Sequence, residues 1–248
     1  MEQIMQTKAK PYTIRIDYDE YAESPRDWDN IGTLFIPDNR YVSGDKGAES
    51  PTIDVVPDAD IVEWACANLD KSDLYDCARN QWDKRNGCTK ADAVRDTLHE
   101  WYGEYHDYPE SLRELIADHC IIVPVYAYVH GGVALSTGSF SCPWDSGCIG
   151  IIWCTLDRAR EEYGDGAQAY DRARKCMVGE IETLDTYYRG SVYGFTIDDA
   201  DGDTYDSCWG FYGATIEECG ILDHIDKSMH DAARQAFDNI GEDIAVAE

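Results

Sequence analysis

The chain has 248 residues, with 49 Asp plus Glu against 21 Lys plus Arg, a formal net charge of -28, and 44% apolar residues. Seven Trp and seventeen Tyr exclude a disordered acidic chain, which would be poor in aromatics, and the length suffices to bury about 70% of the unfolded surface. Charge of this sign repels nucleic acid and anionic membranes and attracts basic surfaces, so neither direct nucleic-acid binding nor membrane association is expected.

Residues 1–10 are polar. Residues 12–17 set Tyr12, Ile14 and Ile16 against Thr13, Arg15 and Asp17, the period of a half-buried strand. Residues 19–30 carry turn chemistry around Pro25, and 31–36 are expected to pair with the first strand. From Pro57 the spacing becomes helical: Ile61, Trp64, Ala65 and Leu69 share a face, and Asp58 and Asp60 lie near the positive end of the helix dipole. Leu74, Ala78 and Trp82 continue a second helix up to Asn86-Gly87. Ala93, Val94, Leu98 and Trp101 mark a third within 89–105, and a short fourth is expected over 109–119.

Residues 120–130 and 148–155 are rich in β-branched and aromatic residues and predict neighbouring strands. They are joined by the densest cluster of special residues in the chain, FSCPWDSGCIG at 140–150. Residues 165–189 predict the best helix, with Tyr170, Ala173, Met177, Ile181, Leu184 and Tyr188 as its apolar stripe. Residues 191–197 and 205–212 predict a hairpin turned at Asp201-Gly202, followed by an acidic, partly helical tail. No repeat or linker divides the chain. The expected fold is a single α+β domain, 1–248, with an antiparallel or mixed central sheet, packed helices and a helical insertion at about 57–119.

Chemical motifs are scarce. Asp145-Ser146-Gly147 lacks the glycines of a nucleophile elbow, since Trp144 and Cys148 stand in their places; Asp145 and Ser146 are expected to bond nearby backbone N–H groups, with Gly147 at an unusual dihedral. Cys142, Cys148 and Cys154 fall six apart, a return to the same strand face rather than a zinc spacing. A thiolate at Cys142 or Cys148 assisted by His130 would need a base or positive field that the sequence cannot place. Residues 1–10 have no apolar run, so the cysteines are read as thiols. The aspartates at 198, 199, 201, 203 and 206 miss the glycine and the terminal glutamate of a calcium loop. No metal and no cofactor are expected.

Three segments carry a resemblance: 12–34 with 40–45, containing Ser-Pro-Arg-x-Trp-Asp-Asn; 136–150, containing Pro-Trp-Asp-Ser-Gly; and 192–197 with 206–213, containing Cys-Trp-Gly-Phe-Tyr-Gly. Over about a third of its length the chain thereby resembles an uncharacterised family of bacteriophage, plasmid and mobile-element proteins. The resemblance implies a context, a host cytoplasm in which such elements block restriction, CRISPR and other defences. It also implies a partner, a basic host protein engaged by an acidic inhibitor that acts as a DNA mimic.

Two other readings stand beside it, an enzyme using the loop from Trp144 to Cys148 and a structural or assembly protein of a mobile element. The acidity has an alternative origin too, in a host-wide composition. Candidate binding residues are Trp28, Asp29 and Asn30; Trp144, Asp145 and Ser146; Trp209 and Tyr212; and, on a tail with nine acidic residues over 217–248, Asp223, Asp226 and Asp231. The three motif segments, each beside turn residues at a strand end, are expected to meet above one sheet edge.

Overall fold

The computed structural model describes residues 12–36, 41–45, 65, 68–77, 89, 90, 93, 94, 116 and 118–246. In chain order its elements are β1 (Thr13–Tyr18), β2 (Thr33–Phe35), α1 (Lys71–Cys77), β3 (Cys120–Val129), β4 (Val133–Ser136), β5 (Ser146–Thr155), α2 (Leu156–Tyr163), α3 (Ala167–Tyr188), β6 (Val192–Asp198), β7 (Thr204–Tyr212), α4 (Ile216–Cys219), α5 (His230–Asp238) and β8 (Ile244–Ala245). The fold class is α+β, with antiparallel strand pairs. The strands form two four-stranded sheets, in the orders β7-β6-β1-β8 and β2-β5-β3-β4, where the sequence reading put six strands in one. Two compact units result, Met1–Asp27 with Thr186–Glu248, and Trp28–Asp185.

In the first unit the alternation of β1 turns Ile14 and Ile16 inward, opposite Ile197 and Phe195 of β6. Both isoleucines are fully buried, a gain of about 1.5–3 kcal/mol each. Helix α5 presents Ala232, Ala233 and Ala236 to this face, and their small side chains let its backbone come close to the sheet. The β6–β7 hairpin turns at Gly202, whose φ of +85° only glycine adopts cheaply. There Asp199 accepts the N–H groups of Asp201 (2.9 Å) and Asp203 (3.2 Å), an Asx turn in place of a calcium loop. Among the described residues no group of three or more His, Cys, Asp or Glu is arranged to hold a metal.

In the second unit β3 alternates buried and half-buried residues between β5 and β4. The expected pairing of 31–36 with the first strand is not formed: Thr33, Leu34 and Phe35 pair with Trp153, Ile152 and Ile151 of β5. Two glycines permit this pairing. A Cβ on Gly150 would overlap the Phe35 carbonyl, and one on Gly32 would lie 2.6 Å from Ile152 Cγ1 and 2.8 Å from Met177 Cγ, so the close approach of β2 to β5 and to Met177 of α3 requires glycine at both positions. Glu180 of α3 then accepts the N–H groups of Ile31 (2.8 Å) and Gly32 (3.3 Å). Asp45 accepts that of Leu34 (2.8 Å), and Asp185 that of Leu135 (2.6 Å).

The stripe of α3 is buried at Ala169, Ala173, Met177, Ile181 and Leu184. Tyr170, expected on it, is exposed, because the neighbouring Ala169 takes the inward position in the first turn. The register of β5 shifts between Val125 and Tyr126 of its partner, with Gly150 opposite Val125 and Cys148 opposite Tyr126. The bulged Ile149 reverses the alternation, so Cys148 and Cys154 lie on opposite faces, contrary to the spacing argument. Helix α1 falls inside the expected 57–119 insertion; most of the rest of that prediction lies outside the described residues. Among the described residues no helix is long and apolar enough to cross a membrane.

Substituting Gly150 by Ala should cost about 2 kcal/mol or more in urea unfolding, by the cost of overpacking. Gly147→Ala, where a Cβ meets nothing within 4 Å, should stay within about 0.5 kcal/mol of wild type. Equal midpoints for the two variants would show that the β2–β5 contact does not decide the packing.

Candidate binding site

A shaped concavity lies in the first unit, an open groove of about 920 Å³. Its lining comes from Asp17, Tyr18, Asp19, Glu20 and Tyr21 at the end of β1 and the turn after it, from Trp209 on β7, and from Ile240 and Gly241 ahead of β8. Each part is held by backbone or side-chain bonds. Asp19 N–H donates to the Val192 carbonyl (2.8 Å), and Gly241 N–H to that of Ile16 (2.8 Å); Gly241 has φ +87°. Asp19 Oδ1 accepts the Tyr21 N–H (3.0 Å), which closes the turn and leaves the Tyr21 side chain 93% exposed. Tyr18 rests against Tyr193 with ring centroids 5.3 Å apart.

Three carboxylates therefore stand among three exposed aromatic rings. Asp17 is engaged by Arg15, whose Nε lies 2.9 Å from Oδ2 and whose Nη2 lies 3.1 Å from Oδ1. Of the expected residues, Trp209 lines this groove, and Tyr212 supports it by donating its hydroxyl to the Glu23 carbonyl. Burial first, and then the charge of Asp19, push the Tyr212 phenol above its ordinary pKa, so it remains a donor. The residues that sequence reasoning missed are 17–21, Ile240 and Gly241. The signal is present in the run DYDEY at 17–21, acids interleaved with tyrosines, which the sequence reading divides between the end of a strand at Asp17 and a turn from Asp19.

In the second unit the loop 142–148 is built differently from the expectation. Ser146 donates its hydroxyl to the Cys142 carbonyl instead of accepting a backbone N–H, and Gly147 is not among the positive-φ glycines. Asp145 Oδ2 lies 3.4 Å from His130 Nδ1 and 4.0 Å from the Cys142 thiol. A catalytic cysteine needs a base or positive field at sulfur, and the neighbour found here is a carboxylate oxygen. The site is open as well, with the His130 and Asp145 side chains 72% and 42% exposed, so water is not excluded as electrostatic catalysis requires. Trp144 projects from the loop, 91% exposed.

The expected meeting of the motif segments is not found for the two in this unit. Asn30 leads into β2 beside the Thr155 end of β5, and Asp29 there pairs with Arg158 (3.6 Å). Residues 143–146 lie at the other end of β5, a ten-residue strand about 30 Å long. Trp28 is 44% exposed, and its carbonyl accepts the Asn30 side-chain N–H (3.0 Å). The third segment, 208–212, belongs to the other unit.

Of the tail acids, Asp226 caps a single helical turn by accepting the Ser228 N–H (3.3 Å), Asp231 pairs with Arg234 (3.3 Å), and Asp223 is exposed. Glu217 also pairs with Arg234 (3.1 Å). No protein-family model, no curated protein and no solved structure matches the chain.

The thiols separate by environment. Burial pushes Cys120 and Cys154 from 9.0 up to about 12, and burial also raises Cys148, which donates to the Gly150 carbonyl. Because the folded values exceed the unfolded one, stability is fully present below pH 9 and is lost as pH rises from 9 towards 12. Chemical denaturation between pH 8 and 11 should show this loss, with a flatter slope in Cys120→Ala/Cys154→Ala. Alkylation of the native chain at pH 8 should label the half-exposed Cys142 and spare Cys120 and Cys154; rapid labelling of the latter pair would contradict the packing of β3 on β5.

Proposed function

We propose that the protein works by binding, as an acidic inhibitor from a mobile element that takes a basic segment of a host defence or nucleic-acid-acting protein into the groove of the first unit. The observation that carries this reading is the groove itself, where Asp17, Asp19 and Glu20 line one concavity with Tyr18, Tyr21 and Trp209. Exposed aromatics supply rigid contact area at low entropic cost and dominate many interfaces, while the carboxylates select a cationic partner. The net charge of -28 steers such a partner from a distance, an effect on association rate that salt removes.

In this proposal Asp223, Asp226 and Asp231 contribute to the field rather than to the contact, and the encounter takes place in the host cytoplasm. Acting as a DNA mimic, the inhibitor would present its carboxylates to a basic segment that otherwise receives phosphates. The carboxylate beside the Cys142 thiol and the openness of the His130–Asp145 pair speak against the enzyme reading.

Affinity capture from a bacterial lysate at about 50 mM salt tests the proposal. The wild-type chain should retain a nucleic-acid-acting protein that is released by about 0.5 M salt, where the screening length falls well below the 10 Å of 0.1 M. Trp209→Ala/Asp19→Asn/Glu20→Gln should lose it, while Asp223→Asn/Asp226→Asn/Asp231→Asn should retain it with slower association. The proposal fails if the groove variant captures the same protein at the same salt, or if the chain turns over a small substrate and loses that turnover on Asp145→Ala.

A further inference from the structure

The groove is built for more than charge. Asp17, Gly194 and Trp209 are register partners across β1, β6 and β7, one row on the sheet face opposite Ile16 and Phe195. The middle position has no side chain. A Cβ on Gly194 would fall inside the indole of Trp209, with Cδ2, Cε3 and Cζ3 as its nearest atoms. The ring therefore lies against the glycine backbone, and Trp209 remains 48% exposed. Gly210, with φ +85°, is the extra residue where the register shifts between Tyr193 and Gly194, a bulge of the kind that re-aims a neighbouring side chain. Asp19, whose Oδ1 holds the Tyr21 N–H, and the exposed Glu20 line the same groove as this indole.

We propose that the groove selects arginine over lysine, the guanidinium plane lying on the open face of Trp209 while its N–H fork donates to Asp19 or Glu20. This deepens the binding function proposed above and rests on it. A guanidinium is planar, weakly hydrated and forked, and both stacks flat on aromatic faces and meets a carboxylate with two bonds; an ammonium is a strongly hydrated point charge that approaches a ring without stacking on it and has no fork. The chain shows the same carboxylate chemistry at the rim of this groove, where Arg15 donates from Nε and Nη2 to the two oxygens of Asp17.

The test is calorimetric titration of the full chain with two blocked hexapeptides, Gly-Arg repeated three times and Gly-Lys repeated three times, at low salt. The arginine peptide should bind about five- to tenfold more tightly, as expected when a desolvated cation–π contact is gained. Trp209→Ala should bring the ratio to about one while changing lysine binding less than about twofold, and Trp209→Phe, which keeps a ring face, should retain part of the preference. Asp19→Asn/Glu20→Gln should weaken both peptides. Equal binding of the two by the wild-type chain, or a ratio that survives Trp209→Ala, overturns the arginine preference and leaves the groove as a general basic site. Binding of neither peptide overturns the preference and the groove's proposed function together.

Discussion

At Gly150, Gly194 and Gly213 another part of the chain occupies the space in which a Cβ would stand: the Phe35 carbonyl, the Trp209 indole and the Cys219 backbone. Both units are assembled around such contacts. At Gly150 the close approach joins β2 to β5; at Gly213 it lets α4 fold back against the end of β7; at Gly194 it lays an aromatic ring across a sheet. None of these glycines has a left-handed dihedral, so what each contributes is absence of bulk. An added methyl there collides with backbone or a packed ring rather than with a flexible side-chain end, which makes adjustment costly.

The surplus of carboxylates has a structural use that offsets part of its repulsion. Glu180, Asp45 and Asp185 accept backbone N–H groups in or just before the edge strands β2 and β4. Asp199, Asp226 and Glu218 do the same in turns and caps. Hydrogen bonds to charged acceptors are stronger than neutral ones, and each satisfies a donor that would otherwise need another partner. The carboxylates left on the surface, including Glu20 and Asp223, supply the field on which the binding reading depends.

Much of this was legible in the sequence, because periodicity reports burial. The alternation of Ile14 and Ile16, the β3 and β5 runs and the helix over 167–188 follow from it; the hairpin at Gly202 follows from its Asp-Gly turn, and the tail reads as partly helical. Pairing partners were not legible. Residues 31–36 are expected beside β1, and the close fits at Gly150 and Gly32 that accompany their pairing with β5 leave no mark on periodicity. The bulge at Ile149, which separates Cys148 from Cys154, leaves no mark on spacing. The groove was hidden for a similar reason: its walls come from 17–21, 209 and 240–241, joined by strand order rather than by sequence proximity. Trp209 was singled out from its motif, but its cradle at Gly194 was not.

The account stands or falls on which aromatic surface meets a basic partner. Nuclear magnetic resonance of the indole N–H groups, assigned by single Trp→Phe variants, reads this directly during titration with an arginine-containing peptide at low salt. The account predicts that the Trp209 resonance moves progressively and saturates, while Trp144, 91% exposed on the loop of the other unit, stays in place. Saturable movement of Trp144 with Trp209 unchanged would contradict it and transfer the binding role to the 142–148 loop.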